Sequence, residues 1–171
     1  MQTRRLTADD AEAYFALRLH ALQDAPTASW ASYDEERQLS LASIAARLPC
    51  AGVQASFGLF LQGALAGIAS LKHDDSDKIR HRANLWGVYI LPQARGQGAA
   101  RQLIAALIDH AARVPQLRQL TLVVSCTNAA AVRLYSSLGF IMTGMERDSI
   151  FVDGAYHDEL RMVKFLPARP A

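Results

Sequence analysis

Apolar residues recur along this chain in two rhythms, one of period near 3.6 and one of short, β-rich runs. Ala11, Tyr14, Phe15, Leu19 and Leu22 share one helical face. Thr7 and Asp10 precede them in a capping pattern, and Pro26 ends the stretch. Leu41, Ile44, Ala45 and Leu48 make a second stripe, and Leu103, Ile104, Leu107, Ile108 and Ala111 a third, closed by Pro115. A fourth helix runs from Asn128 to Leu138 and stops at Gly139, a residue suited to a left-handed cap.

The strand-like runs fall between these stripes. They are Thr3 to Leu6, Phe57 to Leu61, Leu65 to Leu71, Leu85 to Leu91 and Leu120 to Val124, then Ile141 to Val152 and Tyr156 to Phe165. Gln62-Gly63 joins the second and third runs tightly. Asp153-Gly154 is a two-residue hairpin signal between the last two. The polar run His73 to Arg82, with Asp74, Asp75, Asp77, Lys78 and Arg80, reads as a solvated loop. The resulting order, β-α-α-β-β-β-α-β-α-β-β, predicts one mixed α/β domain over residues 1–171.

Composition narrows the function classes. With 171 residues, 51% apolar and 20% charged, the chain can bury a core without staples. A formal charge of +2 gives no ground for a nucleic-acid or membrane partner. Cys50 and Cys126 form no C-x-x-C pair, so neither a disulfide framework nor a metal site is expected. No stretch has the length of a membrane span or the form of a signal peptide, which predicts a cytoplasmic protein.

One segment carries chemistry. From Val88 to Ala100 a strand, a glycine-bearing turn and a helix start follow in immediate succession. Gly96 and Gly98 let the backbone bend and leave room for a ligand at the main chain. The helix start offers unpaired N–H groups and a positive dipole end, which suit a diphosphate, and Arg95 adds a cation. A dinucleotide fingerprint fails here, because Arg101 stands where its third glycine belongs. A nucleotide P-loop fails too, for want of Gly-Lys followed by Ser or Thr.

Arg95-Gly96-Gln97-Gly98-Ala99-Ala100 resembles the Q/R-x-x-G-x-G/A signature of the GNAT superfamily of acyl-CoA N-acyltransferases. Asn128, Ala131, Leu134-Tyr135 and Leu138-Gly139-Phe140 resemble the same family's second pattern, and the element order agrees from Thr3 to Phe165. The resemblance implies a mostly antiparallel sheet of about seven strands flanked by about four helices. It implies acetyl-CoA as co-substrate, an amine as acceptor and no metal. In that reading Val88, Tyr89 and Ile90 hold the acyl carbonyl and pantetheine arm, and the amides of Arg95, Gly96, Gln97, Gly98, Ala99 and Ala100 wrap the diphosphate. Asn128 binds the pantetheine region, and Tyr135 stands by the sulfur as general acid.

Acetyl transfer also needs the amine to lose a proton. The strand before the glycine turn, Ala83 to Val88, holds no acid where many relatives carry one. Glu35, Glu36, His73, His81, Glu146, His157 and Glu159 are candidates, as is a water chain, and none is singled out. Trp30 and Tyr33 fall in the loop expected to border the acceptor, with Trp86 a further lining candidate, while Phe57 reads as core. Three other functions fit the motifs: transfer from a longer acyl-CoA, transfer to a protein N-terminus or lysine, and an acyl-CoA sensor without turnover. The final hairpin is compatible with a homodimer.

Overall fold

A computed structural model of the protein describes residues 1–48, 52–73 and 76–167. Seven strands form one sheet: β1 (Gln2–Arg5), β2 (Ala55–Leu61), β3 (Ala64–His73), β4 (Arg82–Ile90), β5 (Gln119–Ser125), β6 (Ile141–Val152) and β7 (Ala155–Phe165). Their order is β1-β2-β3-β4-β5-β7-β6, and every neighbouring pair is antiparallel except β4 with β5. Among the described residues five α-helices accompany them: α1 (Ala11–Asp24), α2 (Tyr33–Glu36), α3 (Leu41–Arg47), α4 (Ala99–Ala112) and α5 (Ala129–Ser137).

Four of the helices and all seven strands follow the sequence pattern within a few residues. The fifth helix, α2, is a single turn where a loop was expected. Its cap was visible as Ser32-x-x-Glu35: Ser32 Oγ accepts from the Glu35 amide at 3.1 Å, and Glu35 accepts from the Ser32 amide at 3.1 Å. Cys50, Asp74 and Asp75 lie outside the described residues, and Cys126 is a free thiol.

Two cores face the sheet from opposite sides. Leu103, Ile104 and Leu107 of α4 pack with Leu71, Leu85, Leu120, Leu122 and Met162 on one face. Tyr14, Leu17 and Ala21 of α1 pack with Leu6, Ile44, Ile68 and Tyr89 on the other. Strand alternation sorts the side chains between them. Leu120, Leu122 and Val124 belong to the α4 core, so Thr121, Val123 and Ser125 point toward the α1 face.

β4 positions the site through two irregularities. It pairs with β5 only at Arg82–Asn84 against Gln119–Thr121, so beyond Asn84 the parallel strands have no pairing and a gap opens between them. It is also bulged against β3, where the register shifts between Ile68 and Ser70 and Gly87 takes φ +63°. A Cβ at Gly87 would meet only the end of Arg18, at 3.9 Å, so the need for glycine there is conformational. Gly87→Ala is expected to lower unfolding stability by about 1–2 kcal/mol, the cost of a left-handed angle for a residue with a Cβ. Urea titration of both proteins checks this, and equal midpoints would show that the bulge tolerates a side chain.

Candidate active site

The gap between β4 and β5 is lined by backbone on one side. Leu91 donates to the Ala66 carbonyl at 2.9 Å, which turns the backbone of Tyr89 toward β3 as well. Alternation then turns Ile90 and Val88 to the other edge, into the gap. These are the two residues expected to hold the acyl carbonyl. Tyr89 is placed differently. Its side chain packs on the α1 face, where its hydroxyl donates to Asp24 at 2.8 Å, so neither its ring nor its backbone faces the gap. Burial, reinforced by the Asp24 carboxylate, pushes the Tyr89 hydroxyl up to about 12.

The glycine turn follows at once. Gly96 and Gly98 both have positive φ, +75° and +78°, and Gly98 is the N-cap of α4. Nothing lies within 4 Å of where a Cβ would stand at either, so the turn is open on its outer side. Gln102 is the first residue to close the helix, donating to the Gly98 carbonyl at 3.0 Å. The amides just before it therefore lack intrahelical partners and face a dipole's positive end.

Arg95 departs from its expected part. Its amide donates to the Pro92 carbonyl at 3.1 Å, and its guanidinium donates to Asp24 and to the Ile90 carbonyl, each at 2.8 Å. The Arg95 amide is therefore not free for a diphosphate, and its half-exposed guanidinium is already paired with Asp24. It ties the turn to the end of α1 instead, with Asp24 holding Arg95 and Tyr89 together. That carboxyl is drawn below its ordinary range, chiefly by Arg95. Asp24 was not singled out in the sequence, since a carboxylate at a helix end carries no motif.

Across the gap stands α5. Asn128 caps it, its side-chain oxygen accepting from the Ala131 amide at 3.1 Å, which leaves its NH₂ group for another partner. Tyr135 is buried in the α4-side core, edge-on to Phe140 at 5.8 Å between centroids. Its hydroxyl has no hydrogen-bond partner among the described residues, yet it is not one of the fully sealed polar atoms. Burial pushes this hydroxyl up to about 12. It keeps its proton at neutral pH and can donate it.

The base candidates separate sharply. Glu35 serves the α2 cap, Glu36 faces the buried guanidinium of Arg18 at 3.6 Å, and Glu146 pairs with Arg161. His73 bonds the Arg80 carbonyl at 2.6 Å, and His81 faces Gln119 at 3.3 Å, both at the far end of β4. His157 pairs with Ile150 in the final hairpin. Glu159 alone is a buried carboxylate, 3% exposed, and it accepts from the exposed Trp30 at 2.8 Å. Phe57 packs against the α4 core, as expected. Tyr33 is half-buried at the start of α2.

Among the described residues, no cluster of His, Cys, Asp or Glu could hold a metal ion, and no helix is long and apolar enough to cross a membrane. The pH response of Tyr135 is open to test. A tyrosine whose folded value lies near 12 stays neutral through the range where exposed tyrosines ionise, near 10. An ultraviolet difference titration of wild type against Tyr135→Phe is expected to diverge only as the pH approaches about 12. Divergence near 10 would mean that the hydroxyl is open to water.

Comparison with known proteins agrees with this geometry. The profile of the acetyltransferase (GNAT) family matches residues 15–140. A GNAT-family acetyltransferase from Streptococcus pneumoniae superposes with a TM-score of 0.88 at 24% identity, over 97% of this chain and 99% of that one. The yncA protein of Salmonella typhimurium, solved with its cofactor acetyl-CoA, gives 0.82 at 26% identity, over 100% and 96%. The spermidine N(1)-acetyltransferase of Vibrio cholerae is 34% identical over 82 residues, 48% of this chain and 47% of that enzyme. The chain thus spans about half the length of the curated relatives it matches. With the gap, the open glycine turn and the family profile in agreement, this chain belongs to the GNAT acetyltransferase family.

Proposed function

We propose that the protein transfers an acetyl group from acetyl-CoA to a primary amine, by direct attack of the amine on the thioester. The observation that carries this reading is the stretch of β4 from Leu85 to Ile90, unpaired on its β5 side, which opens directly into the glycine turn. The gap offers backbone groups to an extended pantetheine arm. The turn offers the amides of Gly96, Gln97, Gly98, Ala99 and Ala100 to the diphosphate. A free helix start, an empty outer face and two left-handed glycines fit an anion of that size.

The chemistry follows from what each group can do. The Val88 and Ile90 N–H groups lie where an acyl oxygen would gather negative charge, and preorganised donors stabilise such charge strongly. The Ile90 carbonyl already accepts from Arg95, so that residue's N–H is its free contribution to the gap. Asn128 offers its NH₂ to the pantetheine amides. Tyr135 is the donor to the departing thiolate, its hydroxyl holding its proton at neutral pH. Polyamines are the first acceptors to try, given the spermidine acetyltransferases among the relatives.

Two substitutions test the two halves of the site. Gly98→Val strikes no protein atom but strains a backbone at φ +78°, so it is expected to keep the fold at a cost of about 1–3 kcal/mol, while acetyl-CoA affinity in calorimetry falls at least about tenfold. Normal binding would remove the turn from the cofactor site. Tyr135→Phe keeps the ring against Phe140 and is expected to lose about 10²–10⁴-fold in turnover with little change in acetyl-CoA affinity. An unchanged rate would reduce Tyr135 to a packing residue.

A further inference from the structure

Glu159 is the buried carboxylate that the cofactor reading leaves without a task. It lies on β7 opposite Ser125 of β5. Past the Arg82–Gln119 pair, six residues lead to Ser125 on β5 and to Val88 on β4, just beyond the Gly87 bulge, so Glu159 lies one strand beyond the acyl end of the gap. Leu160 and Met162 face the α4 core, which turns Glu159 to the opposite, α1 face of the sheet. Tyr135 and Glu159 therefore approach the gap from opposite faces.

The carboxylate's surroundings are those of a cation seat. Both of its hydrogen bonds fall on Oε2, from Trp30 Nε1 at 2.8 Å and Ser149 Oγ at 2.6 Å. Oε1 has no partner among the described residues, and it is not a fully sealed atom. Lone buried carboxylates without a matching cation are costly, so a missing positive partner is the economical explanation. Glu146, the cross-strand partner of Glu159 on β6, already has its own cation in Arg161. Trp30 leaves 65% of its surface exposed beside Glu159, an aromatic face able to receive an ammonium. Arg18 fixes the loop that carries it, donating to Ser29 at 3.1 Å and facing Glu36 at 3.6 Å.

We infer that Glu159 and Trp30 form the acceptor's subsite, which binds a primary ammonium and places its nitrogen at the β4–β5 gap. This deepens the acetyl-transfer reading and rests on it. The ammonium gives one proton to Glu159, which later passes it to solvent. The freed amine forms a bond to the thioester carbonyl carbon, and the carbon–sulfur bond breaks. The second nitrogen proton is released as the amide forms. The thiolate takes a proton from Tyr135, and the released proton restores the tyrosine. The products are the acetamide, coenzyme A as its thiol, and one proton.

The test uses Glu159→Gln, which keeps an oxygen for Trp30 and Ser149 but removes the charge. The chain has two tryptophans, so two indole N–H signals appear in a ¹⁵N spectrum, and Trp30→Phe assigns one of them. Spermidine and n-propylammonium serve as probes. In the wild type, both are expected to shift the Trp30 signal; in Glu159→Gln they leave it in place. Acetyl-CoA affinity stays within about twofold, while kcat/KM for the accepted amine falls about 10²-fold or more. Trp30→Phe, a change at an exposed ring, raises KM about tenfold through the lost bond to the carboxylate. It supplies the same test should Glu159→Gln fail to fold. A Glu159→Gln enzyme with wild-type kcat/KM, or a wild-type Trp30 signal indifferent to both amines, overturns the subsite. Failure of the wild type to bind acetyl-CoA would instead sink the transferase reading, leaving the amine titration to judge Glu159 by itself.

Discussion

The arrangement depends on two parallel strands that pair for three residues and then part. β4 and β5 are held together only at Arg82–Asn84. Past that point each is supported from its outer side, β4 by β3 and β5 by β7. Unpaired backbone inside a sheet is normally costly, because its N–H and C=O groups must find partners. Here the cost is concentrated in one place, and a ligand with amides and a carbonyl of its own is suited to relieve it. The bulge at Gly87 lies within this stretch and the helix start at Gly98 follows it, so the gap and the proposed anion cradle belong to a single run of chain.

Rigidity on the far side of β4 keeps the gap open. Asp24 accepts from both Tyr89 and Arg95, and Arg95 also holds the Ile90 carbonyl. Three elements meet there: the end of α1, the last residues of β4 and the turn into α4. An arginine whose charge is already matched adds little attraction for a phosphate, but it fixes the direction in which the free amides point. The affinity of such a cradle then comes from backbone dipoles, which are less exposed to salt screening than a mobile side chain.

Much of this was legible in the residues. The periods of the apolar positions located all seven strands and the four longer helices, and Gly96 and Gly98 marked the turn. Other features had signals that went unread: Ser32 and Glu35 spell a capping box, and a glycine inside a strand run, as at Gly87, commonly marks a bulge. The role of Arg95 was not legible, because its partner Asp24 is 71 residues away in sequence. Glu159 and Trp30 are separated by 129 residues, and no local pattern anticipates their bond. Ser149 reaches Glu159 from an irregular stretch of β6, next to Asp148 at φ +51°, which alternation alone could not foresee.

The two faces of the sheet give the site an internal logic. Tyr135 is surrounded by apolar groups of the α4 core, which favour its neutral form and keep the proton on it. Glu159 accepts two hydrogen bonds on one oxygen, from Trp30 and Ser149, and its other oxygen has no partner among the described residues. In the proposed reaction Tyr135 supplies a proton from one face and Glu159 receives one on the other. The unpaired part of β4 runs between them, and Arg18 Nε and Trp86 Nε1, buried without partners, lie beside its bulge. A fold selected for stability alone would have little reason to keep such groups unsatisfied on the acceptor side. Their concentration around Gly87 supports the proposal that a nucleophile approaches from the α1 face and the thiolate departs on the α5 face.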